Sequence, residues 1–184
     1  SESVMRALWI GGALAVVATV AMTLVRHVPA AELKPGDPAP PFELKASDGE
    51  TYKLEDLEGK HVVLAWFPKA FTPGCTAECK SFARDGEALK QYDAVYFTAS
   101  CDPVELNTKF AESLGADYPI LSDPEGEVAA AYGVVDGKRK VPRRWTFYID
   151  PEGKILHIDR DVETPEYARI VAEKLEELGV PKPQ

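Results

Sequence analysis

A mixed α/β sheet with helices on both faces is the fold class this sequence predicts, and three observations predict it. Short apolar runs of strand type, His61–Phe67 and Ala94–Ala99, alternate with helical segments that carry one apolar face. Paired runs flank the turn signals Ser47-Asp48-Gly49-Glu50 and Asp150-Pro151-Glu152-Gly153, as β-hairpins require. The chain closes on an amphipathic segment, Pro165–Leu178, halted at Gly179. Strand–helix alternation followed by a hairpin and a helix implies a sheet covered on both sides. With 184 residues there is room for one domain of about 150 residues and an appendage.

In chain order, the first candidate element is Ala7–Val25, 19 residues without a charge, bracketed by Arg6 and by Arg26-His27. As a helix it spans about 28 Å, near the thickness of a bilayer core. It exceeds the usual apolar core of a cleaved signal peptide, so residues 4–27 are expected to be a single membrane anchor. Ala7, Gly11, Ala15, Thr19 and Thr23 recur every fourth residue, and small residues at Ala7, Gly11 and Ala15 would let a partner helix approach closely. The short tail before the span leads us to expect the globular domain on the periplasmic side of the membrane. Residues 28–41, with five prolines, are expected to be an extended spacer, and 42–180 the folded domain.

Phe42–Leu44 and Thr51–Leu54 read as the first hairpin, and His61–Phe67 as a buried strand ended by Pro68. Phe82, Leu89 and Tyr92 mark the apolar face of the next helix, which puts Cys75 in its first turn. Ala94–Ala99 is a second buried strand. Val104–Leu114 is a helix stopped by Gly115, Tyr118–Leu121 a short strand, and Glu125–Tyr132 a short helix stopped by Gly133. Trp145–Ile149 and Lys154–Ile158 form the last hairpin.

The chemistry is concentrated in Pro68–Cys79. A strand, a tight Pro/Gly turn and a cysteine at a helix start make a nucleophilic sulfur, because free backbone N–H groups favour a thiolate. Three cysteines at spacings without a Cys-x-x-Cys pair argue against a zinc ribbon, a c-type haem site and a thioredoxin-type dithiol. A net charge of −9 argues against nucleic acid as a partner.

Pro68, Thr72 and Cys75 form the pattern Pro-x-x-x-Thr-x-x-Cys, and with Thr72-Pro73-Gly74-Cys75-Thr76 the segment resembles the peroxiredoxins, most closely the bacterioferritin-comigratory or Q-type branch. The resemblance runs from about Leu33 to Leu178. It implies a thioredoxin-like fold and a thiol-dependent peroxidase acting on hydrogen peroxide and organic hydroperoxides, with no metal or organic cofactor and with an external thiol as reductant. Cys75 would supply the thiolate, Thr72 would aim a hydroxyl at the peroxide or the sulfur, and Pro68 would stiffen the loop. The resemblance assigns Arg144, before Trp145-Thr146-Phe147, as the cation, and Glu78 as the acid that orients it.

The branch often carries a second, resolving cysteine five residues on, where this chain has Lys80. Cys79 shares a helix face with Cys75, and Cys101 ends the neighbouring strand, so either of them, or neither, is the resolver. Trp66, Phe67, Phe71 and Trp145 are expected to wall the site. Two other functions stay open: an accessory subunit of a membrane complex, and a thiol–disulfide oxidoreductase lacking the second cysteine of its motif.

Overall fold

The computed structural model describes residues 32–162 and 165–183. Seven strands form one sheet: β1 Glu43–Ala46, β2 Thr51–Lys53, β3 His61–Trp66, β4 Ala94–Ser100, β5 Ile120–Ser122, β6 Thr146–Ile149 and β7 Ile155–Asp159. The helices are α1 Pro73–Lys90, α2 Val104–Leu114, α3 Glu127–Ala131 and α4 Tyr167–Glu177. The spatial order is β2-β1-β5-β4-β3-β6-β7. β3 pairs in parallel with β4 and antiparallel with β6, which makes the sheet mixed, as expected.

Five of the six residues of β3 are buried, because the strand lies at the centre with a helical or loop layer on each face. Val63, Ala65 and Phe67 join α1, α2 and α4 in one core, whereas Val62, Leu64 and Trp66 join β1, α3 and the segment around Tyr132 and Val134 in the other. This alternation follows from the two-residue period of a strand. It corrects the expected walls of the thiol site: Trp66 faces the second core, against Tyr132, and Trp145 packs against that same core under Arg143 and Arg160.

Most element bounds differ from the sequence reading by one to three residues. The larger difference lies in the expected spacer, whose residues 36–39 are hydrogen-bonded to the last hairpin. Gly36 N–H donates to the Ile155 carbonyl at 2.8 Å, Ile155 N–H to Asp37 at 2.9 Å, and Ala39 N–H to Gly153 at 2.9 Å. Proline blocks helix here but leaves an extended chain free to lie along a strand edge.

The expected membrane localisation is not upheld. Among the described residues no helix is long and apolar enough to cross a membrane. The longest, α1, carries Glu78, Lys80, Arg84, Asp85, Glu87 and Lys90, so only one of its faces is apolar, whereas lipid demands an apolar surface all round. The stretch Ala7–Val25, with the helix contact expected at Ala7, Gly11 and Ala15, lies outside the described residues.

Phe82 is the knob that fastens α1 to the sheet and to α4. Its ring lies 5.8–6.1 Å from those of Tyr96, Tyr118 and Tyr167 and is fully buried. Phe82→Ala is therefore expected to cost about 3–5 kcal/mol of stability, read from urea unfolding.

Candidate active site

Between β3 and α1 the chain makes a six-residue loop that ends in a helix start. Thr72 is extended (φ −84°, ψ 150°), Pro73 occupies the first helical position, and Cys75 sits in the first turn. Phe71, just before, has φ +62°, a left-handed conformation that costs a non-glycine residue about 1–2 kcal/mol. Its ring is 52 % exposed and packs at 5.0 Å on Phe110 of α2.

The loop is held from beneath by a carboxylate on the neighbouring strand's exit. Asp102 Oδ2 accepts the Ala70 N–H at 2.8 Å and the Ser100 hydroxyl at 3.1 Å. Asn107 extends this buried network by donating to the Ser100 and Ser122 hydroxyls at 3.0 and 2.8 Å. Ser100-Cys101-Asp102-Pro103 was legible as a strand end, but nothing in the sequence assigns Asp102 to the Ala70 amide. The only available signal was its place at the carboxyl end of the strand beside β3.

Of the residues singled out in the sequence, Cys75, Glu78 and Arg144 meet directly. Arg144 Nη2 lies 3.4 Å from Cys75 Sγ, and Nη1 donates to Glu78 Oε2. Arg144 comes from the residues before β6, and Ala65 of β3 stands opposite Thr146, so sheet register delivers the guanidinium to the loop. Gly74 makes room for it: a Cβ there would stand 3.2 Å from Arg144 Nη2. The adjacent Arg143 points elsewhere, pairing with Asp136 at 3.0 Å and lying over Trp145. Thr72 is in the same loop, and its hydroxyl donates to the Lys69 carbonyl at 2.9 Å. Pro68 opens the loop, partly buried.

Cys75 is 1 % exposed and Glu78 fully buried. Burial pushes the Glu78 carboxyl up to about 7 against the pull of the Arg144 guanidinium. Its other oxygen, Oε1, has no hydrogen-bond partner among the described residues.

The two other cysteines are placed differently. Cys79, fully buried, shares the α1 core with Cys75, and burial and the nearby Glu78 hold its thiol well above the ordinary range. Cys101 belongs to the opposite core, beside Gly126. Burial, then Asp123 and Asp102, push its thiol up to about 12. Among the described residues no three His, Cys, Asp or Glu side chains group as metal ligands.

Residues 35–158 match the AhpC/TSA family. The chain is 37% identical over 149 residues to peroxiredoxin Bcp of Bacillus subtilis strain 168, covering 78% of this chain and 93% of that one. It is 34% identical over 151 residues to peroxiredoxin Bcp of Escherichia coli K12, covering 79% and 97%. Among solved structures, peroxidoxin BcpB of Mycobacterium tuberculosis superposes with a TM-score of 0.70 at 36% identity, covering 80% of this chain and 97% of that one. The C47S mutant of Xylella fastidiosa PrxQ gives 0.74 at 25%, covering 81% and 99%.

The fold and these relatives define a thioredoxin-like, thiol-dependent enzyme. The chain belongs to the AhpC/TSA family and is a peroxiredoxin of the Bcp, or Q-type, group, a thiol-dependent peroxidase that reduces peroxide at the expense of a thiol. The accessory-subunit and thiol–disulfide oxidoreductase readings are not favoured. The family match lies wholly outside Ala7–Val25, so it lends no support to a membrane localisation.

Two tests follow from the site's polar groups. Asp102→Ala leaves the buried Ala70 amide without its acceptor, so a loss of about 1–3 kcal/mol is expected in urea unfolding. Glu78 gives a pH signature. Its folded pKa lies above the ordinary 4.5, so the native state keeps a proton that the unfolded chain has lost. Its contribution to stability is therefore complete below about pH 4.5, declines as pH rises towards about 7 and levels off above. Glu78→Gln is expected to remove that decline when unfolding is compared between pH 4.5 and 8.

Proposed function

We propose that Cys75 is the thiol that peroxide oxidises, and that Arg144, held by Glu78, is the cation that makes this sulfur reactive. The Arg144 Nη2 contact with Cys75 Sγ at 3.4 Å carries the reading. A permanent positive charge beside the sulfur favours thiolate over thiol, and the same donors face the charge that grows on the departing oxygen.

In the proposed step the Cys75 thiolate attacks one peroxide oxygen. An S–O bond forms, the O–O bond breaks, and the departing oxygen takes a proton to leave as water or an alcohol. The sulfur becomes a sulfenic acid. Thr72, whose hydroxyl donates to the Lys69 carbonyl, keeps an oxygen that can accept from the peroxide, and rotation of the hydroxyl would let it donate instead. Pro68 and Pro73 would keep the loop from collapsing onto the sulfur. Phe71, half exposed and backed by the buried Phe110 and Phe67, supplies an apolar surface compatible with organic hydroperoxides as well as hydrogen peroxide.

We further propose that the sulfenic acid is reduced by an outside thiol. Cys79 is buried, held in its protonated form and fixed in an intact helical turn, and Cys101 lies across the sheet. Either would require local unfolding to reach Cys75. The folded unit is proposed to begin within the Pro-rich segment, at about Gly36, rather than at Phe42.

Mass spectrometry after one equivalent of hydrogen peroxide is expected to find sulfenic acid on Cys75 and no intramolecular disulfide. Cys79→Ser and Cys101→Ser should turn over with dithiothreitol as wild type does, whereas Cys75→Ser should be inactive. Arg144→Gln is expected to slow peroxide consumption by about 10²–10³-fold. A Cys75–Cys79 or Cys75–Cys101 bridge would overturn the outside-thiol scheme, and an unoxidised Cys75 would overturn the assignment itself.

A further inference from the structure

Two buried acids share one cation at this site. Cys75 and Glu78 are both buried, and Arg144 touches each, with Nη2 at 3.4 Å from the sulfur and Nη1 on Glu78 Oε2. Among the described residues Arg144 is the only cation in ion-pair reach of Glu78. With both acids ionised, two buried negative charges would face one positive charge. Like charges held against the same group suppress each other's ionisation, so one member of the pair keeps its proton.

Helix position decides which member that is. Cys75 lies in the first turn of α1, just ahead of Thr76, whose N–H donates to the Thr72 carbonyl at 2.8 Å. The positive end of the helix favours an anion there, and its influence fades beyond that turn. Glu78 stands further in. Its Oε1 is buried with no hydrogen-bond partner among the described residues. An ionised carboxylate with one bare oxygen is costlier to bury than a protonated one.

The other titratable groups around Glu78 do not take the charge instead. On α1 this is Cys79, whose thiol is held in its protonated form by burial and by Glu78. From the residues before β5 it is Tyr118, likewise held protonated by burial, whose hydroxyl donates to the Cys79 carbonyl at 2.7 Å and not to Glu78. From the residues before β6 it is Arg144 itself.

We propose that Glu78 holds a proton while Cys75 is a thiolate and gives it up when peroxide oxidises the sulfur, supplying the proton that the departing oxygen takes. The proposal rests on the reading of Cys75 given above and names the source of a proton that the step requires. Glu78 touches no reacting atom, so it is a positioning residue for Arg144 that also stores a proton. The upward displacement of its carboxyl to about 7 agrees with this charge count.

The chemistry balances. The sulfur's electron pair forms the S–O bond, the O–O pair leaves on the departing oxygen, and that oxygen gains one proton. The sulfenic acid is neutral, so Arg144 is left with Glu78 as its counter-charge, and Glu78 loses one proton. The guanidinium is thus balanced by thiolate before the step and by carboxylate after it. Two molecules of an outside thiol reverse the change: the sulfenic hydroxyl leaves as water, the thiols leave as a disulfide, and Glu78 regains its proton.

The test follows a pH indicator in weak buffer during a single turnover with hydrogen peroxide, with the Cys75 thiolate read from its ultraviolet absorbance. At about pH 6, where the carboxyl keeps its proton, wild type is expected to show thiolate and to take up no proton from solution. Glu78→Gln, which keeps an oxygen for Arg144 but has no acidic proton, should take up about one proton per thiolate consumed. At about pH 8.5 both proteins should take up one, because Glu78 has by then ionised in wild type as well. Infrared difference spectra of wild type, which do not depend on how the variant folds, should lose the carbonyl band of a protonated carboxyl on oxidation. Uptake of one proton by wild type at the lower pH, equal uptake by the two proteins there, absence of thiolate there, or an unchanged carbonyl band would each overturn the proposal. If mass spectrometry found no sulfenic acid on Cys75, the assignment of the sulfur itself would fail, and the proton store would fall with it.

Discussion

Everything at this site turns on one guanidinium held between a buried carboxylate and a buried sulfur. Arg144 pairs through Nη1 with Glu78, whose isolated charge would be costly at full burial, and turns Nη2 to Cys75. Neither partner suffices alone. Without Glu78 the long arginine side chain has no fixed geometry, and without Arg144 the carboxylate has no counter-charge. The pair spans 66 residues of sequence, so it exists only because β6 lies antiparallel to β3 and brings Arg144 over the start of α1.

The same register explains why the loop keeps its shape. Asp102 leaves β4 on one side of β3, and Arg144 enters β6 on the other, so the cysteine loop is gripped from both flanks. One grip is a hydrogen bond to the Ala70 amide and the other a charge on the sulfur. Between them Phe71 takes up its left-handed turn, which the chain tolerates because both neighbours of the kink are fixed.

Local pattern carried most of the fold. The apolar run His61–Phe67, the glycine stops at Gly115, Gly133 and Gly179, and the Asp150–Gly153 turn each encode their element within a few residues, so periodicity and turn chemistry were enough. Helix position made Cys75 legible for the same reason. What could not be read was whatever depends on which face of the sheet a side chain meets. Trp66 and Phe67 look alike as neighbours in an apolar run, yet one points into each core. Cys101 seemed adjacent to Cys75 because their strands are adjacent, but the strand's two-residue alternation sends it to the far side. Asp102 was unreadable because its partner is a backbone amide, which leaves no mark on the residue types. Ala7–Val25 shows the converse: an apolar run states its hydropathy and not its place in the molecule.

The segment that enters the domain has a consequence for how copies of this protein meet. An exposed sheet edge is a template for another strand, and this sheet has two edges, β2 and β7. At β7 the Ile155 N–H and C=O are already taken by Asp37 and Gly36, with Pro38 bridging to Lys154 alongside. At the other edge, β2 is only three residues long. Continuous strand-to-strand growth between molecules is thereby blocked at the start of one edge strand and limited by the shortness of the other.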